Sequence, residues 1–134
     1  MKRGFAIGLI LTACSGLYAQ SIAMRATIPF DFRVGDLALP AGQYHVTYTT
    51  GMLKVQSDDG SRTAAAFQTI SAIRPSAPAK GELVFRRYGN DYFLAHVWTP
   101  DSNTGLELRK GAVEREVAAS AGPTKNVTVA VGRK

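Results

Sequence analysis

Apolar and polar residues alternate in short runs along most of the chain, and turn residues separate the runs. In residues 26–34, for example, every second residue from Ile28 to Val34 is apolar, which predicts a strand with one buried face. Because Pro29 cannot donate a backbone hydrogen bond, this strand is expected either to lie at a sheet edge or to pair only through its other side. The same reasoning predicts further strands at residues 43–50, 52–57, 61–70, 82–88, 91–99, 106–109 and 126–131.

The segment 82–99 is the centre of the predicted fold, because two runs rich in β-branched and aromatic residues flank Gly89 and Asn90. This dipeptide suits a two-residue hairpin turn that needs a positive φ at its first position. The resulting register places Tyr88 opposite Asp91, Arg86 opposite Phe93, Phe85 opposite Leu94 and Leu83 opposite His96. Alternation assigns to one face Leu83, Phe85, Arg87, Tyr92, Leu94, His96 and Trp98. Both faces are mostly apolar, so cover is expected on both sides.

One helix is predicted near the C-terminus, over residues 112–121, where Ala, Glu and Arg favour helix formation. Val113 and Val117 would share its buried side and Glu114 would be exposed; a further strand is the alternative for this segment. Several short strands separated by turn signals, with one short helix, indicate a mainly β fold. The expected architecture is a small antiparallel β-sandwich or barrel of about seven strands.

The first residues have the order of an export signal: a basic start at Lys2 and Arg3, an apolar stretch, and then small residues. The apolar stretch is too short for a membrane-spanning helix. We therefore expect residues 1–19 to be a signal peptide and residues 20–134 to be a single β-rich domain. Cleavage before Gln20 is plausible, although Leu17 is large for its position, whereas Ser21, Ile22 and Ala23 offer small residues at both critical places.

A second interpretation of the same segment is a lipoprotein signal, because Leu11, Thr12, Ala13 and Cys14 resemble a lipobox. Cys14, the only cysteine, would then become the lipidated first residue and the only membrane contact. Ordinary cleavage would remove it instead and leave a mature protein without disulfides or thiol chemistry. The expected location is periplasmic or secreted in one case, and anchored to the outer membrane in the other.

The chain is basic, with 16 Lys and Arg against 10 Asp and Glu, but the excess is scattered. Removing Lys2 and Arg3 with the signal would lower the formal net charge from +6 to +4. A nucleic-acid binder concentrates its basic residues in a stripe or patch. No nucleic-acid partner is therefore predicted, and the expected partners are an envelope glycan or another envelope protein.

No catalytic residue, metal site or cofactor is predicted. His45 and His96, the two histidines, lie on separate predicted strands without the spacing of a metal or catalytic motif. Asp58 and Asp59 precede Gly60, a combination that is typical of a turn rather than of glycoside chemistry. Since the chain also lacks a Gly-x-Ser-x-Gly motif, a hydrolase is the least favoured function.

Aromatic residues on the predicted strands admit two interpretations, because they are the usual core material of a small β domain but can also stack on sugars when exposed. Arg87, Tyr92 and Trp98 are the candidate binding residues, and all three lie on one predicted face of the hairpin. Arg86 points to the opposite face from Arg87, so one of the two must lie beside a packed layer and pair with an acid. The candidate acids are Glu82, Asp91, Glu107 and Glu114.

Three parts of the chain form a recognisable set: Ile-Pro-Phe-Asp-Phe at 28–32 followed by Gly35, Leu-Pro-Ala-Gly at 39–42 followed by Tyr44, and the hairpin runs within 83–98. With them, the mature chain resembles a group of small exported proteins of environmental bacteria to which no activity is assigned. These are motifs of turns and core, so the resemblance implies no catalytic or binding residue.

The expected function is that of an exported, non-enzymatic module of the cell envelope with a binding or structural role. The alternative is a carrier of a small ligand, which would require a barrel with an interior cavity.

Overall fold

The structure is mainly β with one helix near the C-terminus, as the sequence predicts. The predicted signal peptide 1–19 and Cys14 lie outside the described residues. This computed structural model describes residues 22–49, 52–66, 69–122 and 124–133. Its elements are β1 (Ile22–Ile28), β2 (Phe32–Val34), β3 (Leu37–Leu39), β4 (Gly42–Thr49), β5 (Met52–Ser57), β6 (Thr63–Ala66), β7 (Thr69–Ile73), β8 (Gly81–Tyr88), β9 (Asp91–Trp98), β10 (Thr104–Leu108), α1 (Ala112–Ala121) and β11 (Lys125–Arg133).

The strands form two facing sheets that share β11. One sheet has the order β11–β1–β4–β5–β6, and the other has the order β3–β2–β9–β8–β11, with β10 and β7 continuing beyond the second half of β9. Residues 125–131 of β11 pair with β8, and Gly132 and Arg133 pair with β1. Among the described ladders only the short contact between β2 and β9 is parallel. The described strands form a sandwich-like fold and no closed barrel.

The first predicted strand, 26–34, is interrupted at Pro29. Strand β1 ends at Ile28 and β2 starts at Phe32, in the opposite sheet. A proline has no N–H to donate to a ladder, so the pairing stops there and the chain crosses between the sheets. Both predicted alternatives, an edge strand and pairing through one side only, are wrong for the two halves, because β1 lies between β4 and β11 and β2 lies between β3 and β9.

Two further differences increase the number of strands. The predicted strand 61–70 corresponds to β6 and β7, and 37–39 forms β3, for which no strand was predicted. The described part of the chain therefore has eleven strands rather than about seven. Strand β5 and helix α1 have the predicted bounds.

The core lies between the sheets and is built from alternating residues of both. Phe32 stands edge-on to Tyr44 of the opposite sheet, with ring centroids 5.2 Å apart, and to Phe85 of its own sheet at 5.5 Å. These edge-to-face contacts are favourable arrangements of aromatic quadrupoles and tie the two layers together. Among the fully buried aliphatic residues are Ile28, Val46, Leu53, Val55, Leu83 and Val97.

The hairpin of β8 and β9 has the predicted register only near its turn. The predicted pairs that are confirmed are Tyr88 with Asp91, Arg86 with Phe93 and Phe85 with Leu94. Beyond them Leu83 pairs with Val97 and not with His96, because Ala95 is an extra residue that forms a β-bulge. From His96 onwards the side chains of β9 therefore point to the opposite face from the one predicted.

Helix α1 packs on the outer face of β8 around a buried carboxylate. Glu114 is only 2% exposed, and its Oε2 accepts hydrogen bonds from Arg86 Nε at 2.5 Å and from Tyr88 Oη at 2.8 Å. Arg86 Nη2 also donates to Glu114 Oε1 at 3.1 Å and to the Leu108 carbonyl at 3.2 Å. The expected acid partner of a buried arginine is confirmed, whereas the predicted exposure of Glu114 is wrong.

The N-terminus of α1 is held by the turn between β2 and β3. Asp36 Oδ1 accepts a hydrogen bond from Val113 N at 3.1 Å, which satisfies one backbone donor of the first helical turn. The approach requires Gly111, because a Cβ there would lie 2.6 Å from the same carboxylate oxygen. The helix is thus fixed at its start by Asp36 and along its length by Glu114.

Candidate functional site

Arg87 and Tyr92 lie directly opposite each other next to the hairpin turn, where the inner face of the sheet reaches the end of the sandwich. The guanidinium carbon of Arg87 is 5.4 Å from the centroid of the Tyr92 ring, which is a cation–π distance. Phe30, in the crossing between β1 and β2, stacks on the same ring at 3.8 Å and 11°. All three side chains are half-buried, so the pair that the sequence selected forms a supported aromatic surface that solvent still reaches.

A cleft of about 260 Å³ opens beside this stack, and we call it the Tyr92 cleft. Polar side chains surround it, and two of them are already oriented by the backbone. Asp31 Oδ1 accepts the Ala41 N–H at 2.9 Å, and Arg33 Nη1 donates to the Asp36 carbonyl at 3.2 Å. The cleft is lined by Asp31, Phe32, Arg33, Ala38, Asn90, Asp91 and Tyr92.

Trp98 lies at the other end of β9 and on the other face, since the bulge at Ala95 reverses the alternation. It is 7% exposed, with the Arg74 guanidinium carbon 5.0 Å from its ring centroid. Its indole also packs on Gly105, where a Cβ would lie 2.6 Å from Cε3. The prediction that Trp98 shares a face with Arg87 and Tyr92 is therefore wrong, and this ring is packed rather than open.

His96 and Glu107 lie next to Trp98 on the same outer face. The imidazole stacks on the indole at 5.8 Å, and its Nε2 is 4.0 Å from Glu107 Oε1. Burial lowers the pKa of His96; Glu107 opposes this effect and Arg86 adds to it. Nearby, Arg74 Nη1 donates to Glu82 Oε1 at 2.8 Å, which fixes the guanidinium above Trp98.

His45 lies on the other sheet and binds a turn carboxylate. Its Nε2 is 2.8 Å from Asp58 Oδ1, and Arg25 Nη2 donates to Asp58 Oδ2 at 3.2 Å. The two histidines thus have separate acidic neighbours. Within the described part of the chain, no group of three or more His, Cys, Asp or Glu side chains is arranged to hold a metal ion.

The predicted turn at Asp58, Asp59 and Gly60 is confirmed. Asp59 Oδ1 accepts hydrogen bonds from Ser61 N at 2.9 Å and from the Ser57 and Ser61 hydroxyls, both at 2.7 Å. Hydrogen bonds from Ser61, and then from Ser57, lower the pKa of Asp59 to about 2. The carboxylate is therefore ionised at neutral pH and holds the turn.

A second cleft, of about 300 Å³, lies between this turn and the loop before β4. We call it the turn cleft. Tyr44 forms part of its wall, and the Tyr44 hydroxyl donates to the Pro40 carbonyl at 2.6 Å, which fixes the ring. The polar residues that line it are Gln43, Ser57, Asp58, Asp59, Ser61 and Arg62.

Sequence reasoning found two residues of the Tyr92 cleft region and missed the others. Asp31 and Arg33 fall on the polar face of the strand predicted over 26–34, which carries no predicted function, and Asn90 is predicted only to form a turn. The usable signal was Pro29, because a break at that position brings the following residues to the hairpin turn.

Comparison of the chain with protein-family models, with curated proteins and with solved structures gave no match. Within the described residues, no helix is long and apolar enough to cross a membrane.

Proposed function

We propose that this protein is an exported, non-enzymatic module of the cell envelope that binds a glycan in the Tyr92 cleft. The observation that carries the proposal is the stack of Phe30, Tyr92 and Arg87 at the mouth of a cleft with a polar lining. Scattered surface aromatics would not support it, but a ring held between Phe30 and Arg87 and flanked by oriented polar groups does.

A sugar ring has an apolar face of C–H groups and a rim of hydroxyls, and the cleft offers a counterpart to each. The accessible edge of the Tyr92 ring supplies an apolar surface, while carboxylate, amide and guanidinium groups supply acceptors and donors. Because Phe30 stacks on Tyr92 at 3.8 Å, the ring is already held before a ligand arrives. Such preorganisation reduces the entropy lost on binding.

Binding without catalysis fits the exposure of the two carboxylates in the cleft. A glycosidase needs one carboxylic acid that stays protonated, and burial in an apolar pocket is the usual means of raising its pKa. Asp31 and Asp91 are both exposed, and Asp31 is engaged with a backbone N–H. The alternative of a small-ligand carrier depended on a closed barrel, which the described strands do not form.

The binding proposal is tested with glycans isolated from the envelope of the host, immobilised and offered to the purified mature domain. We expect retention of the wild type and a loss of at least about 10-fold in affinity for Tyr92→Ala, the size expected of a central aromatic contact. Tyr48→Ala is the matched control, because Tyr48 is also a half-buried tyrosine packed against the core. Unchanged retention of a folded Tyr92→Ala variant would overturn the proposal.

Export is tested separately by the intact mass of the protein isolated from its own host. A mass that begins at Gln20 or a few residues later supports a soluble exported domain. A mass with acyl chains on Cys14 supports a lipoprotein of the outer membrane. A mass that retains residues 1–19 would overturn the export proposal.

A further inference from the structure

We infer that the ligand is a neutral oligosaccharide chain that occupies the Tyr92 cleft and the turn cleft together. This inference rests on the proposed function, because it extends the site proposed there. It names the ligand as a chain of several uncharged sugars rather than a single sugar, a glycan end or an acidic polymer.

The two clefts are neighbours at one end of the sandwich. Asp31 lines the Tyr92 cleft, and its carboxylate accepts the N–H of Ala41, which lines the turn cleft, at 2.9 Å. Beneath this contact, Phe32 of the first cleft and Tyr44 of the second stand edge-to-face at 5.2 Å. The two clefts therefore share a hydrogen-bonded boundary, and we take a chain that leaves one of them to continue into the other.

The volumes favour an occupant that uses both clefts. At about 260 and 300 Å³, each lies at or below the lower end of the range of roughly 300–1,000 Å³ typical of small-molecule sites. Either alone gives a ligand few contacts. A ligand that reaches both gains the second set of contacts intramolecularly, without a second loss of translational freedom.

The turn cleft, like the Tyr92 cleft, is lined by polar side chains. Tyr44 borders it but is only 1% exposed, so it offers no free ring face, and its hydroxyl donates to the Pro40 carbonyl at 2.6 Å. Exposed Gln43 and Arg62 supply an amide and a guanidinium at the rim of the cleft. These hydrogen-bonding groups are suited to the hydroxyls of a sugar.

The charges along this path favour an uncharged chain. Asp59 is ionised at neutral pH, since hydrogen bonds lower its pKa to about 2. Both clefts hold carboxylates as well as arginines, so a polyanion would meet negative charge in each of them. The charged groups are Asp31, Asp91, Asp58 and Asp59 against Arg33, Arg87 and Arg62.

The experiment is titration calorimetry of the mature protein with the dimer and the hexamer of β-1,4-linked N-acetylglucosamine, and with the corresponding glucose oligomers. We expect the hexamer of at least one series to bind at least about 10-fold more tightly than its dimer, because the second cleft adds its contacts intramolecularly. In the double variant Gln43→Ala/Arg62→Ala this gain should disappear while the affinity for the dimer is unchanged. Arg109→Ala, an exposed arginine outside both clefts, is the control and should retain the gain.

The outcomes separate this inference from the proposed function. Equal affinity for dimer and hexamer, with both lost in Tyr92→Ala, overturns the two-cleft chain and leaves the proposed glycan site standing. Binding of an oligogalacturonate of matched length as tightly as the neutral hexamer overturns the neutral character of the ligand. Failure of all these oligosaccharides to bind the folded protein, while immobilised envelope glycans still retain it, overturns this inference alone; failure of both kinds of ligand overturns the proposed function as well.

Discussion

Arg86 and Arg87 are adjacent in β8 but serve different purposes. Arg86 is buried on the outer face, where it donates to both oxygens of Glu114 and to the Leu108 carbonyl. Arg87 is half-buried at the open end, where its Nε donates to the Gly89 carbonyl at 2.7 Å and its guanidinium lies over Tyr92. Strand alternation thus places one arginine in the folded framework and keeps the other beside a cleft.

The difference in burial between the two arginines indicates the role of each charge. A buried ion pair gains little net stability, because desolvation of both charges offsets their attraction, but it penalises any arrangement that separates them. The pair of Arg86 and Glu114 therefore specifies how α1 docks on the sheet. Arg87 is only partly desolvated, and several of its N–H groups have no partner among the described residues, so it can still take part in binding.

The largest effect is expected when the buried pair is broken. Glu114→Ala would leave the Arg86 guanidinium buried without a counter-charge and remove the acceptor of Tyr88. We expect a loss of about 3–5 kcal/mol in the free energy of unfolding, measured by urea denaturation. Glu116→Ala, an exposed position of the same helix, should change it by less than about 0.5 kcal/mol.

If Glu114→Ala and Glu116→Ala changed the free energy of unfolding equally, the burial of Glu114 against Arg86 on the outer face would be contradicted. The double variant Arg86→Met/Glu114→Leu sharpens the same point. If the cost comes from an unpaired charge rather than from lost packing, this apolar replacement should recover part of the lost stability.

A second strong effect is expected at Gly105, on the same outer face. In Gly105→Ala the new Cβ would lie 2.4 Å from the Val97 carbonyl oxygen and 2.6 Å from Cε3 of Trp98. Relieving such overlap displaces the indole or the strand, at a cost of about 1–3 kcal/mol. Since Trp98 is the only tryptophan, its emission should also shift to longer wavelength as the ring becomes hydrated. An unchanged spectrum and stability would show that Trp98 is not packed on this glycine.

The local sequence pattern predicts the structure correctly where residues close together in the chain determine it. The turn at Gly89 has a φ of +61°, which its two-residue hairpin requires, and the register near that turn follows directly. Helix α1 lies between Gly111 and Gly122 as predicted. The pairing of Arg87 with Tyr92 needed only this local register, so half of the candidate site was accessible from the sequence.

The rest depends on contacts between distant parts of the chain. The bulge at Ala95 has no local signal, because every residue around it suits a regular strand, yet it sends Trp98 to the other face. Glu114 is buried because Arg86, 28 positions earlier, lies beneath it. Asp31 and Arg33 reach the Tyr92 cleft only because the chain crosses between sheets at Pro29.

A smaller effect on stability is expected for Arg87, the more exposed of the two arginines. Arg87→Ala should lower the free energy of unfolding by about 0.5–1 kcal/mol, the usual contribution of a partly exposed cation–π contact. The affinity of the same variant for the immobilised glycan should fall by a larger factor than this change in the free energy of unfolding corresponds to. Arg87→Lys should retain part of the binding, because it keeps the charge but loses the planar donor group. A loss of stability as large as that of Glu114→Ala would contradict the distinction between the two arginines.

The smallest effect concerns the pH dependence of the free energy of unfolding, through His96 on the outer face. Burial lowers the pKa of His96 below its usual 6.5, although Glu107 opposes the shift. The unfolded chain then takes up the proton more readily than the folded one, so stability is greatest above pH 6.5 and falls as the pH drops from there towards the folded pKa. Urea denaturation at about pH 7.5 and about pH 5 should show this loss. The difference in stability between the two pH values should shrink in His96→Gln. It should persist in the control His45→Gln, which leaves the imidazole beside Trp98 in place. If His96→Gln kept the full difference between the two pH values, the loss would have to come from other groups, and desolvation of His96 would not contribute to it.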